Sequence, residues 1–221
     1  MQARPALVVV LALLAVGCPL AAVAADDENL TVNARLLASA RNADTPGVER
    51  ALKEGAAVNS RNRLGESVLI IALKRNQLAM AKLMVDAGTD VNQPALNGIT
   101  PLMAAAYGGH TDMVKLLLAK GAKIEPVDRL GKNAMTYAAG EGQTDIVVLL
   151  LSRGADPNAV YHNDLTALMW AAGYGKTATA KALLDAGANP ALKDNRGKTA
   201  LDIAREQKHD ETAALLAAVT R

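Results

Sequence analysis

Phenylalanine is absent from the 221 residues, and tyrosine and tryptophan together number only five. A core with so little aromatic bulk has to be built from Ala, Leu, Val and Met, which suits closely packed helices and argues against an aromatic-rich β-sandwich. The fold class expected is therefore all-α. An excess of charge of one sign is also lacking. The 24 Lys and Arg stand against 22 Asp and Glu, a balance that gives no global reason for a polyanionic partner. Few aromatics also mean no platform on which bases could stack, so no nucleic acid is expected as a ligand.

Cysteine occurs once, as Cys18 in the N-terminal leader. With that leader removed, the chain has no disulfide and no thiol nucleophile, and folds through packing alone. Histidine occurs three times, as His110, His162 and His209, at positions that do not converge and without a His-x-x-x-His pair. No catalytic residue, metal ligand or cofactor is assigned from them. Asp156-Pro157-Asn158 and Asp194-Asn195 hint at calcium loops. Neither continues to the glycine and distal glutamate that such a loop requires, so both read as turns in which Asx side chains bond their own backbone. Gly175-Lys176-Thr177 has the end of a phosphate-binding loop, but the glycine that must precede it by five positions is Trp170. Neither a nucleotide nor another small-molecule substrate is expected.

The first residues differ from the rest. MQARP carries one positive charge, Ala6 to Val16 is apolar without interruption, and PLAAVAA ends in small residues. This three-part form is that of a secretory signal peptide over 1–24, cut after Ala24 with Ala25 the next best site. Gly17 and Pro19 leave the apolar run short of the roughly 20 residues a span needs, so no membrane span is expected after cleavage. The stretch AVGC offers lipidation at Cys18 as the alternative, although Ala15 departs from the bulkier residue that signal prefers. The localisation expected is periplasmic or secreted, or lipid-anchored through Cys18. A short polar leader, 25–31, then precedes the structural region, 32–221.

That region repeats every 33 residues. Glycines at 55, 88, 121, 154 and 187 share one phase, and the segment from Gly98, GITPLMAAAYGGHTDMVKLLLAKGA, returns in altered form from Gly65, Gly131, Asp164 and Gly197. Thr100 is placed to cap a helix, with Pro101 at its first position, where a missing donor costs nothing. Ala104, Ala105 and Ala106 allow neighbouring helices to approach closely, and Gly108-Gly109 turns the chain. Met113, Val114, Leu116 and Leu117 mark a second helix that ends at Gly121. Two helices of this length cannot bury their apolar faces alone, so the units must stack. The repeats run at about 32–64, 65–97, 98–130, 131–163, 164–196 and 197–221, the first and last atypical.

A 33-residue helix pair that begins Gly-x-Thr-Pro-Leu and ends Leu-Leu-x-x-Gly-Ala resembles the ankyrin repeat, over roughly residues 32 to 218. The match is closest at Thr100-Pro101-Leu102. The histidine that usually follows this leucine is replaced by Ile70, Met103, Thr136, Met169 and Asp202, which implies loss of a hydrogen-bond network between adjacent loops and lower stability than an idealised array. In this register Gly175-Lys176-Thr177 is the turn between two helices. His110 occupies the equivalent turn and is expected to bond local backbone. Trp170 is expected to pack between repeats.

The resemblance implies a solenoid that binds a protein through a concave face of loop tips and first helices. The corresponding positions are Arg63, Lys74 and Arg75; Ile99 and Tyr107; Arg129 and Lys132; His162, Leu165 and Tyr174; Arg196 and Lys198. With the neighbouring Glu66, Glu141 and Lys193 the face counts eight basic and two acidic side chains, which predicts an acidic partner, with Tyr107 and Tyr174 as its anchors. The function expected is that of a monomeric, non-enzymatic exported adaptor. The alternatives are an inhibitor or immunity protein that blocks an enzyme in the same compartment, or an accessory factor in envelope oxidative-stress defence.

Overall fold

The computed structural model describes residues 20–220, with side chains from residue 31 onward. Cys18 and the stretch 1–19 that carries most of the signal-peptide expectation lie outside the described residues, as does Arg221. Among the described residues twelve α-helices follow one another in six pairs: α1 (Leu20–Arg41) and α2 (Thr45–Lys53), α3 (Val68–Lys74) and α4 (Leu78–Asp86), α5 (Pro101–Tyr107) and α6 (Thr111–Ala119), α7 (Ala134–Glu141) and α8 (Thr144–Ser152), α9 (Ala167–Gly173) and α10 (Thr177–Asp185), α11 (Ala200–Glu206) and α12 (Asp210–Val219). Residues 25–31, expected as a polar leader, belong to α1. No described helix is long and apolar enough to cross a membrane.

Each odd-numbered helix from α3 onward begins at one phase of the repeat because a short polar side chain stands there. Ser67, Thr100, Asn133, Thr166 and Thr199 each accept the backbone N–H three residues on, at 3.0 to 3.4 Å. Such a cap contributes about 1 kcal/mol, and Asn133 fills the role although its segment lacks the Thr-x-Leu pattern.

The helices stack in two rows. Every odd-numbered helix packs on the next odd one, and every even-numbered helix on the next even one. In the odd row Ala72, Ala105, Ala138, Ala171 and Ala204 recur at the repeat period, and all are fully buried. A methyl group fills the space between successive backbones, so a larger side chain would push two repeats apart. In the even row Met84, Leu117, Leu150, Leu183 and Leu216 take the equivalent place with no exposure. These two ladders form one continuous core, which no single pair could build alone.

The side chains at the missing-histidine positions do bond only within their own repeats, as Met103, Thr136 and Asp202 show. Adjacent repeats are tied elsewhere. Asn92 accepts from Lys123 N and donates to Gly121 O, and Asn158 does the same with Asn189 N and Gly187 O. The hydroxyls of Thr144 and Thr177 pair with the buried Thr179 and Thr212 at 2.8 Å, while Asn133 Nδ2 donates to Tyr161 Oη at 2.7 Å across the length of a single repeat. His110 corrects the expectation of a purely local bond. Its Nε2 lies 3.3 Å from the carbonyl of Leu73 in the preceding repeat, and His209 Nε2 lies 3.1 Å from that of Gly173. Both rings reach back to carbonyls at the end of the neighbouring helix, where intrahelical donors run out.

One hairpin departs from the pattern. Gly65, Gly98, Gly131 and Gly197 have φ between 68° and 86°, and the residue in phase with them in the fifth unit is Asp164, at φ 59°. Its carboxylate makes no hydrogen bond among the described residues, so nothing offsets the left-handed backbone. Asp164→Gly is expected to stabilise the protein by roughly 0.5 to 1 kcal/mol, read as a higher midpoint in urea. A lower midpoint would show that the carboxylate, not the backbone, governs this turn.

Candidate functional site

Between each even-numbered helix and the next odd one the chain forms a hairpin, and in three of the five an acceptor at the base fixes the tip. Asn62 Oδ1 accepts from Leu64 N and Glu66 N, Asp128 Oδ1 from Leu130 N and Lys132 N, and Asp194 Oδ1 from Arg196 N and Lys198 N, all at 2.8 to 2.9 Å. Asp156 likewise accepts from Asn158 N, so the Asx-turn reading of both acidic pairs holds. Neighbouring tips are joined through their backbones, Leu96 N to Leu64 O, Arg129 N to Asn97 O and Asn195 N to Asn163 O.

On this scaffold lies an aromatic row that the sequence did not disclose. Tyr107, at the end of α5, meets Tyr137 of α7 edge-on, with centroids 5.9 Å apart and planes at 90°. The Lys132 ammonium sits 5.5 Å from the Tyr137 centroid and 4.1 Å from that of Trp170 in α9. Tyr174 then stacks on Trp170 at 6.0 Å with 12° between the planes. The row is rigid at its centre because Tyr137 Oη donates to Asp128 Oδ2 at 2.5 Å. Burial, the hydrogen bond to Asp128 and that carboxylate's charge together push the Tyr137 phenol well above its ordinary range, so it stays a donor.

Tyr107 and Tyr174, the expected anchors, are 55% and 53% exposed and lie at the two ends of this row. Trp170 packs partly on the core, as expected, but its ring also faces Lys132 on the surface, so packing is only half of its role. Lys132 is half-buried against two rings, which removes it from the set of free cations. Ile99 and Leu165 are partly buried and pack along the edge of the core.

The remaining charges divide. Lys74 pairs with Glu66 at 2.6 Å, Arg196 with the buried Asp194 at 2.7 Å, and Lys198 with Glu206. Arg75 donates to the carbonyl of Arg41 at 2.8 Å. Arg63, Arg129 and His162 are exposed, and their side chains make no hydrogen bond or ion pair among the described residues. The eight basic side chains therefore present much less free charge than their number suggests.

The Gly175-Lys176-Thr177 turn joins α9 to α10. The Thr177 hydroxyl bonds Thr212 of the next repeat, a structural use. Among the described residues no three His, Cys, Asp or Glu side chains gather to hold a metal ion.

The profile described as "Ankyrin repeats (3 copies)" matches residues 36–128, 86–161 and 160–220. Two curated proteins are similar over shorter stretches. They are the inactive serine/threonine-protein kinase TEX14 of Mus musculus, 30% identical over 95 residues, and its Bos taurus counterpart, 38% identical over 63 residues. These cover 43% and 28% of this chain but 6% and 4% of those proteins, so the chain spans a small fraction of either relative's length. The profile, the phased helix pairs and the capped hairpins agree: the chain belongs to the ankyrin-repeat family.

Proposed function

We propose that this chain is a non-enzymatic adaptor that binds a protein partner across the face made by its hairpins and odd-numbered helices. The observation that carries this reading is the row Tyr107, Tyr137, Lys132, Trp170 and Tyr174, which crosses three successive repeats. Rigid aromatic side chains that remain half in water are the residues whose burial supplies much of the energy of protein interfaces. Tyr137 is locked by Asp128, so little ordering cost is left for the moment of binding. The adaptor is exported by its signal peptide, and its partner, which bears net negative charge, resides in the same extracytoplasmic compartment.

Photo-crosslinking from positions 107 and 174 in living cells identifies what lies against the row. The Tyr107→Ala, Tyr174→Ala double variant is expected to weaken capture of that partner at least about thirtyfold while the protein stays folded, because each side chain is about half exposed and loses one aromatic contact of about 1 kcal/mol. Capture that survives the double substitution at full strength removes the aromatic row from the interface.

A further inference from the structure

At the first end of the array, α1, the hairpin 61–67 and α3 enclose an open groove of about 920 Å³. Its apolar floor comes from Leu37 of α1 and Ile71 of α3, and the exposed Leu64 stands at its edge. Five cationic side chains line it, Arg41, Arg61, Arg63, Lys74 and Arg75, with Glu66 as the only carboxylate.

Two of the cations, Arg61 and Arg75, are held in place without being neutralised. Arg61 Nε donates to Gly65 O at 2.8 Å and its Nη2 to Pro94 O, while Arg75 donates to Arg41 O. Carbonyl acceptors orient a guanidinium and leave its charge intact. Lys74 and Asn62 both bond Glu66, so that one pair is internally balanced. Burial raises the Glu66 pKa, but those bonds and the charges of Lys74 and Arg75 hold it below the usual range. Elsewhere on this face the structure satisfies or covers many of its cations. Here four of them, Arg41, Arg61, Arg63 and Arg75, make no ion pair among the described residues, and only Arg75 lies near enough to Glu66 for its charge to be felt there.

We infer that this groove docks an extended acidic segment of a protein partner, in which one bulky aliphatic side chain is flanked by carboxylates. Guanidinium forks match carboxylates in geometry, and fixing them beforehand reduces the entropy lost on binding. The apolar floor calls for an aliphatic side chain between the charges, which a bare anion lacks. No aromatic residue lines the groove, so bases would find nothing to stack on, and a peptide is favoured over a nucleic acid. Lys74 also borders a second groove of about 540 Å³ that runs past Ile99 and Met103 to Tyr107 and Tyr137, so the acidic segment leads toward the aromatic row. The inference rests on the reading of this face as a protein-binding surface and assigns a different part of the partner to each end.

The test uses the full chain and a short fluorescein-labelled peptide with one leucine between runs of glutamate, followed by anisotropy. Binding is expected to fall steeply with salt. The Arg41→Glu, Arg63→Glu variant, whose side chains hold no bond in the fold among the described residues, is expected to bind at least about tenfold more weakly. The Tyr107→Ala, Tyr174→Ala variant should bind as the wild type does. Any of the following overturns the inference: no binding, equal binding by the arginine variant, equal binding of the lysine-for-glutamate peptide, or tighter binding of a single-stranded oligonucleotide of equal charge. Capture of the cellular partner that depends on the two tyrosines but not on the two arginines removes this groove and leaves the aromatic interface standing. The opposite dependence removes the aromatic interface and leaves the groove.

Discussion

Gly175→Ala is expected to destabilise the protein by about 2 to 3 kcal/mol, whereas Gly187→Ala costs about half as much. Both glycines have positive φ, 63° and 89°, so alanine at either site suffers the left-handed penalty. They differ in what an added methyl group meets. At Gly187 there is nothing within 4 Å, while at Gly175 the new carbon would lie 2.5 Å from Nδ1 of His209 and 2.8 Å from its Cγ. The ring must leave, and its Nε2 contact with Gly173 O goes with it. The excess at Gly175 is therefore the strength of a tie between repeats, not a property of the turn. In a His209→Ala background the methyl group meets no ring, and the cost of Gly175→Ala should fall to that of Gly187→Ala. Urea unfolding of the wild type, the three single variants and the Gly175→Ala, His209→Ala double variant measures this. Equal costs in the wild-type background would mean that the histidine yields freely and carries no share of the stacking.

The sequence disclosed what is local and periodic. Glycines in phase, Thr100 before Pro101 and the alanine triplet each act within one unit, so the helix pairs and their stacking were legible from 33-residue periodicity. The site was legible only at its ends. Tyr107 and Tyr174 were found because they occupy exposed positions at adjacent phases of the repeat, but Lys132 and Trp170 are 38 positions apart, and their approach depends on how one repeat is offset from the next. The charge neutralisation did leave a trace. Glu66 and Lys74 stand eight residues apart, and Lys198 and Glu206 occupy the same two phases with the signs exchanged. Such a swap marks two positions that face each other across a hairpin and helix, and it would have shown that these lysines were already paired. The partners of Arg61 and Arg75 left no trace because carbonyl oxygens are present at every position of any chain.

Asp128→Ala should cost about 3 kcal/mol and damage the aromatic row as well, because one side chain serves both the hairpin and the site. Its Oδ1 holds the N–H groups of Leu130 and Lys132, and its Oδ2 holds the Tyr137 hydroxyl, all in a position only 7% exposed. Alanine leaves three donors without this acceptor. Asp128→Asn keeps an oxygen for the two backbone groups and turns an amide toward a hydroxyl that can accept, so about 1 kcal/mol is expected. Tyr137→Phe, which removes only the third bond, should cost a similar amount. Alkaline titration separates the hydroxyl from the hairpin. The folded-state pKa of Tyr137 is raised above its unfolded value, so the stability it contributes is complete below about pH 10 and is lost as the pH rises from there toward the folded value. The wild type should therefore lose stability above about pH 10, and both Asp128→Ala and Tyr137→Phe should flatten that slope. Partner capture gives the second measure. Asp128→Ala frees Tyr137 and, with it, the edge-on contact to Tyr107 and the seat of Lys132, so capture should weaken even at temperatures where the protein remains folded. If the variant folds less stably but captures as well as the wild type, the aromatic row needs no rigid centre, and the link between this hairpin and binding is broken.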